Sequence, residues 1–365
     1  MKLVLTLVCR DEADILDAMI SFHLNAGVDF VLATDHGSND GTKDILERYS
    51  REGYAHVAHE EGDEFRQSEW VTRMARLAAT NFGADWVINS DSDEFWWPRG
   101  EDLKDVLAYV PPRYGTIRAV WRFFVPQPGT DGHFAERMTL RLSPAAPINS
   151  PSNPFRPTAK IAHRADPGIR VGVGNHELSN TRLIPLRGWY PIELLHFPLR
   201  RREQVVRKYA AVRDSLSVKS VPGHIVRAVD AAAEGWVDEI LRSLGADPAI
   251  VADGLESDVL VRDTRLRDVL RRLAGVDELP RSGDPPPRFA LPSEPSALTF
   301  TRPSVVDDVR LAVETAVLAE ADQVRAIRRL DELEGRVAEL ERRLGPRLVR
   351  LLRRQTHGDG PAVSP

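Results

Sequence analysis

Cysteine is almost missing from this chain: its 365 residues include one, Cys9. A single thiol excludes an internal disulfide framework and fits a reducing compartment. Its place within the first apolar run marks it as a small core residue. Long hydrophobic runs are also missing, and no stretch is long enough to span a bilayer. The N-terminal run from Met1 to Val8 superficially resembles a signal peptide, but it soon reaches Arg10-Asp11-Glu12 without a small-residue cleavage site. An excess of positive charge is lacking too. The net charge of −5 gives no nucleic-acid signature. These absences predict a cytoplasmic protein with no nucleic-acid partner.

With 42% hydrophobic and 28% charged residues, the composition is that of a soluble globular protein with a sizeable core. The length suggests two or three structural units. Buried strands are predicted over residues 3–8, 30–34, 55–59 and 86–89. Helices are predicted over 15–25, 42–49 and 69–82, with Gly27 as a stop signal and Thr42 as a cap. Repeated βα units argue for an α/β fold with a mostly parallel sheet flanked by helices. A helix over 102–109 and a strand over 117–124 follow. Residues 126–158, rich in Pro, Gly, Ser and Asn, read as a long loop, an acceptor-side lid. Short strands are expected over 160–164 and 169–173, and a helix from 204 to 213. Helices over 224–274 are expected to break at Gly245 and Gly254, and 277–304 reads as a Pro-rich linker.

The most informative stretch is Trp86-Val87-Ile88-Asn89-Ser90-Asp91-Ser92-Asp93-Glu94-Phe95. If the apolar run is a strand, its pleat lets Asp91 and Asp93 converge at the C-terminal edge. Ligands of open α/β sheets sit in the crevice beyond those edges. Two carboxylates there suit Mg²⁺ or Mn²⁺, with phosphate oxygens and waters completing the shell. Acidic residues after a strand also form turns and helix caps. The apolar strand before the pair and the wall of Phe95, Trp96 and Trp97 after it favour a site.

Two more motifs precede this one: Arg10-Asp11-Glu12-Ala13-Asp14-Ile15-Leu16 and Asp35-His36-Gly37-Ser38-Asn39-Asp40-Gly41-Thr42. With Asp91-Ser92-Asp93-Glu94-Phe95, this ordered set resembles the family 2 glycosyltransferases of GT-A fold, in the D-x-D-E-F subgroup, over roughly the first hundred residues. The resemblance implies a nucleotide-sugar donor bound across the strand ends. Asp93 would be a metal ligand, and Asp91 would lie near the ribose or the metal. Arg10 and Glu12 would border the nucleotide, and Asp35, His36 and Asp40 would approach the base. Many family 2 members carry Asp where His36 stands, and that carboxylate often reads uracil, so the base stays open. The same 35–41 stretch also reads as a well-capped turn.

Downstream the likeness is looser. Lys160, His176 and the run Leu195-His196-Phe197-Pro198-Leu199-Arg200-Arg201-Arg202-Glu203 resemble later elements of related transferases. By resemblance His196 is a third metal ligand or a core histidine, and imidazole favours Mn²⁺ mildly over Mg²⁺. Lys160 and His176 would contact donor or acceptor. Arg200 and Arg201 would neutralise the leaving diphosphate, or begin a solvated helix. Glu177 and Glu94 are the candidate general bases, with Asp131 and Glu136 also open. Asp93→Ala is expected to abolish metal-dependent turnover and, as a change to a surface carboxylate, to leave the fold intact.

The resulting expectation is a glycosyltransferase domain over 1–215, a helical region over 216–276, the linker, a C-terminal helix over 305–355 and a disordered tail over 356–365. Leu330, Leu333, Val337, Leu340 and Leu344 follow 3–4 spacing, which suits a short coiled coil and a homo-oligomer, or a helix packed on its own domain. Six arginines from Arg342 to Arg354 interleave with leucines. They make either a basic helix suited to peripheral contact with the inner face of the plasma membrane or a solvated helix end.

The leading reading is a metal-dependent, inverting glycosyltransferase acting on a carbohydrate or glycolipid acceptor, in surface polysaccharide or glycolipid assembly. A sugar-phosphate nucleotidyltransferase needs a Gly-rich phosphate loop after the first strand. The loop here, Cys9-Arg10-Asp11-Glu12-Ala13-Asp14, is acidic and has no glycine. The third reading is a degenerate, non-catalytic scaffold that oligomerises through its C-terminal helix.

Overall fold

A computed structural model describes residues 1–200 apart from 63, 101, 126–131, 144–158 and 199, then residues 204, 248–281, 286–292, 298 and 300. From 312 to 343 it describes 312–316, 319, 323, 327, 329–340 and 342–343. Arg201, Asp131, the helix expected over 204–213 beyond its first residue, the break expected at Gly245, the arginines from Arg347 onward and the tail lie outside the described residues.

The N-terminal part alternates as its periodicity predicts. Strands β1 (Leu3–Cys9), β2 (Phe30–His36), β3 (Ala55–Glu60) and β4 (Trp86–Asp91) are separated by helices α1 (Ala13–Asn25), α2 (Thr42–Arg51) and α3 (Gln67–Thr80). β1 is buried along its whole length, which is why it reads as a continuous apolar run and not an alternating one. The four strands pair in parallel in the order β3-β2-β1-β4. The chain therefore reverses its direction of growth at β1, and the crevice of a doubly wound sheet opens there. Register places Asp91 beside Val8 and Asp35 beside Cys9 at this edge.

Beyond β4 the sheet turns antiparallel. Next in chain order come β5 (Glu94–Pro98), α4 (Leu103–Ala108), β6 (Thr116–Val125), α5 (Phe134–Arg137), β7 (Leu140–Leu142) and β8 (Ala159–Arg164). Two short strands, β9 (Arg170–Val171) and β10 (Leu178–Ser179), form a small ribbon, and β11 spans Ile192–His196. β8 sits between β4 and β6, antiparallel to both. β11 lies antiparallel to β5 and parallel to β6. Helix α6 (Pro248–Glu256), strand β12 (Leu260–Arg262) and helix α7 (Arg265–Ala274) complete the described elements of this part, β12 extending the sheet through β7.

Several expectations change. Phe95, Trp96 and Trp97 are a strand in the core, where Phe95 meets Phe22, Phe134 and Phe197, and they are not a crevice wall. The stretch 126–158 holds a helical turn, α5, and a paired strand, β7. Gly254 does not break its helix. A Cβ there would come within 2.8 Å of Leu260, so the glycine permits close packing of α6 on β12. Thr42 is the first helical residue, not the cap; its hydroxyl accepts from the Glu12 amide at 2.9 Å and donates to Asp40 at 2.6 Å. The Pro-rich stretch 277–304, read as a linker, contributes Leu279, Phe289, Leu298 and Phe300 to the main core.

The chain divides into two compact units, Met1–Arg310 and Leu311–Pro365. The second is helical at residues 312–316, 329–340 and 342–343. Among the described residues no helix is long and apolar enough to cross a membrane.

Candidate active site

The loop after β1 and the loop after β2 are knitted together. The Asp11 amide donates to Ser38 Oγ at 3.0 Å, and Asp11 Oδ1 accepts from the Asn39 amide at 2.8 Å. The Ala13 amide donates to Asp40 at 3.1 Å, and Asp35 accepts from the Ser38 amide at 3.3 Å. Short polar side chains that satisfy nearby backbone groups are what fixes such turns. Asp40 thus shapes the loop. Asp35 is fully buried at the strand end, 3.5 Å from His59. His36, on the opposite pleat, packs 4.8 Å from the Trp70 ring and bonds the Gly62 carbonyl through Nε2 at 2.8 Å. Arg10 stands exposed at the rim.

The acidic segment at the end of β4 meets side chains from β6, β8 and β11, from the start of α3 and from the loops that carry Asn175 and Arg200. Lys160, on β8, is buried. Its Nζ lies 2.5 Å from Asp91 Oδ2 and 3.1 Å from Glu94 Oε1. Burial opposes its charge, but the two carboxylates outweigh that and hold the ammonium above its ordinary pKa. Asp91 Oδ1 accepts from Gln67 at 3.0 Å and from Asn175 at 3.3 Å. Both oxygens of Asp91 are therefore engaged. Glu94 accepts from the Asp91 amide and from the Trp121 indole, each at 3.0 Å. Burial pushes its carboxyl up to about 8, against the pull of Lys160. These contacts make Glu94 the cap of the Asp91–Glu94 reversal.

Asp93 is 1% exposed, not the surface carboxylate expected. His196 Nε2 lies 3.5 Å from its Oδ1, and Arg200 Nη1 lies 4.0 Å from its Oδ2. The pairing of His196 with Glu94 across β11 and β5 delivers the imidazole to this point. His196 stacks on Trp121 at 4.4 Å, and His176 meets the same indole edge-on at 5.6 Å. Burial, then Lys160, lowers the His176 pKa. Glu177 is exposed on the neighbouring loop.

Arg200 is not laid open to a diphosphate. It is 1% exposed, grips Glu12 and Asp14, and donates to its own Phe197 carbonyl at 3.0 Å. Glu12 also accepts from Gln204 at 2.9 Å. Arg200 therefore ties the β1 loop to the chain beyond β11.

Among the described residues no group of three or more His, Cys, Asp or Glu side chains is arranged to hold a metal ion. The three expected ligands divide. Asp93 and His196 face each other and fit part of a divalent cation's shell. Asp91, held by Lys160, Gln67 and Asn175, does not. A cavity of about 920 Å³ borders the same β1 loop through Asp11, Asp14 and Asp40, with His133 and Phe289 also in its lining; Asp91, Asp93, Lys160 and His196 do not line it.

Residues 10–117 match the model of glycosyltransferase family 92. That stretch carries all three N-terminal motifs. The chain is a glycosyltransferase by this match and by those motifs, although the match is to family 92 and not to the family 2 subgroup that the motifs resemble. Among solved structures, S. aureus TarS 1–349 is similar at 13% identity over 64% of this chain and 71% of that one, with a TM-score of 0.32. Its complex with UDP is similar over 75% and 79%, again at 13% and 0.32. Glucosyl-3-phosphoglycerate synthase from Mycobacterium tuberculosis, in complex with Mn²⁺, UDP and glucosyl-3-phosphoglycerate, is 19% identical over 33% of this chain and 44% of that one, with a TM-score of 0.25. No curated protein matches the chain.

Trp121, Gln67 and Asn175 bond to the acidic segment and are not among the candidates named from sequence. Trp121 reads as an ordinary strand aromatic, Gln67 opens a helix, and Asn175 immediately precedes His176. None carries a local signal, because each reaches the acidic segment only through tertiary pairing.

Proposed function

We propose that this chain transfers a sugar from a nucleotide-sugar donor to an acceptor hydroxyl, with inversion. The observation that carries the proposal is the meeting of Asp91, Asp93, Lys160 and His196 at the carboxyl end of β4, beside the reversal at β1. In this reading the nucleotide lies across the loops of Arg10–Glu12 and Asp35–Asp40, with the base beside Asp35, while His36 supports the strand end from its other face. Asp93 and His196 would hold Mn²⁺ or Mg²⁺, which when bound supplies positive charge to the departing diphosphate. Lys160 positions Asp91 and Glu94, and His176 faces the donor or acceptor beside Trp121.

Glu177 is the better candidate for the base. Its carboxylate is exposed, whereas Glu94 is buried and already bonded three ways. Glu177 takes the proton of the acceptor hydroxyl. The acceptor oxygen bonds to the anomeric carbon on one face while the carbon–oxygen bond to the diphosphate breaks on the other. The nucleoside diphosphate leaves with the bonding pair, so no covalent enzyme intermediate is required. The acceptor is a carbohydrate or glycolipid. A role in surface polysaccharide or glycolipid assembly rests on the arginine-rich C-terminal sequence; truncation after Leu340 that leaves vesicle partitioning unchanged removes that support.

The test is release of nucleoside diphosphate from UDP-, GDP-, CDP- and dTDP-sugars, with Mn²⁺ or Mg²⁺ and in their absence. Metal-dependent release with one donor, lost in Asp93→Asn and Glu177→Gln, is the expected result. Release of pyrophosphate from a nucleoside triphosphate would replace the proposal with nucleotidyl transfer.

A further inference from the structure

The C-terminal unit presents an apolar stripe. Leu330, Leu333, Val337 and Leu340 lie on one helical run and are 59%, 46%, 53% and 55% exposed. Four aliphatic side chains left this open on 3–4 spacing are a seam in search of a partner, since an ordinary surface helix is polar on its outer face.

We infer that the partner is a second copy of this chain, aligned parallel and in register. The charges beside the seam choose among the arrangements. With Leu330 and Val337 at heptad position a, and Leu333 and Leu340 at d, position g holds Arg329 and Arg336, and Arg343 by the same count. Position e holds Glu334 and, by sequence, Glu341. In a parallel pair each g residue faces the e residue five places on in the partner. That sets Arg329 against Glu334 and Arg336 against Glu341, twice over by symmetry. In an antiparallel pair g faces g and e faces e, so arginine meets arginine and glutamate meets glutamate. The pattern favours the first arrangement and penalises the second. A β-branched residue at a with leucine at d, as at Val337 and its neighbours, favours two strands over three or four. Gly335 falls at f, on the outer face, where it weakens the helix without disturbing the seam. Two heptads make a weak coil, so the dimer is concentration-dependent.

The experiment uses the full chain. Sedimentation velocity over a range of concentrations should show a reversible monomer–dimer equilibrium. Glu334→Arg, which turns two symmetry-related attractions into repulsions, should raise the dissociation constant roughly tenfold or more. Orientation is read separately. In Leu333→Cys the new thiols face each other only in a parallel, in-register pair, while Cys9 is buried. Mild oxidation should then give a disulfide-linked dimer of unchanged far-UV circular dichroism. A monomer at every concentration, or a dimer indifferent to Glu334→Arg, overturns the inference. So does a dimer whose Leu333→Cys variant does not crosslink. None of these readouts uses the donor site, so they stand apart from the proposed transferase activity.

Discussion

Replacing Arg200 with methionine should destabilise the catalytic unit heavily. The side chain is 1% exposed, donates to Asp14 at 2.9 Å and 3.0 Å, grips Glu12, and satisfies the Phe197 carbonyl. Burial opposes its charge, but Glu12 and then Asp14 outweigh it and hold the guanidinium's pKa above its ordinary value. Methionine nearly conserves the volume, so the loss is electrostatic. Removing one partner of a buried ion pair costs about 3–5 kcal/mol, because the remaining charge is stranded. Glu12, 7% exposed, loses its guanidinium partner in this variant. At this chain size each kcal/mol lowers the melting temperature by roughly 2 °C, so a fall of roughly 6–10 °C is expected. Thermal melts followed by circular dichroism measure it. The double variant Arg200→Met with Glu12→Gln should recover part of the loss, since the two residues act as one unit. If Arg200→Met melts like the wild type while losing nucleotide affinity, the guanidinium serves the ligand and the reasoning fails.

Other consequences are sharper locally. Gly174→Ala should displace His176, because Gly174 has φ +71° and a Cβ there would sit 2.8 Å from the imidazole ring; a lower kcat with a melting temperature within a few degrees of wild type is the expected outcome, and unchanged kinetics would remove His176 from the site. Glu193 is buried among Arg122, Arg265, Arg141 and Arg99, which outweigh desolvation and hold its carboxyl well below the ordinary 4.5. Its contribution is complete above pH 4.5 and lost as the pH falls through lower values, because the unfolded chain takes up the proton first. Glu193→Gln should therefore cost about 3–5 kcal/mol near neutrality and flatten the acid limb of stability. An acid limb of unchanged slope in a folded variant would show that the network is not what acid breaks.

The half of the fold that was legible in sequence is the half built from neighbours. Strands β1 to β4 and the helices between them declare themselves because each is apolar on its own period and joined by a short turn. Two of the missed strands, β5 and β11, pair across about a hundred residues, Glu94 with His196. Nothing near Ile192 announces that partner, so His196 was visible as a candidate but not the strand that delivers it. The motif loops fall at the carboxyl ends of β1 and β2, as their place between a predicted strand and helix implies. Arg200, Glu12 and Asp40, which the family resemblance implies as donor contacts, also make bonds within the protein that no sequence pattern announces. Proline content misled over 277–304: prolines exclude regular structure, yet leave Phe289 and Phe300 free to anchor in the core. The acidic segment itself was legible because two carboxylates after a buried strand are costly unless something positive, such as Lys160, meets them.

The most direct test of a donor site at the end of β4 is the melting temperature of the full chain with UDP, GDP, CDP and dTDP compounds, each with and without Mn²⁺. Ligand that binds only the native state raises it by mass action. The account predicts a metal-dependent rise with one nucleotide in the wild type, lost in Asp93→Asn. A folded wild type that shifts with none of them, or an Asp93→Asn variant that shifts as fully as the wild type, would contradict it.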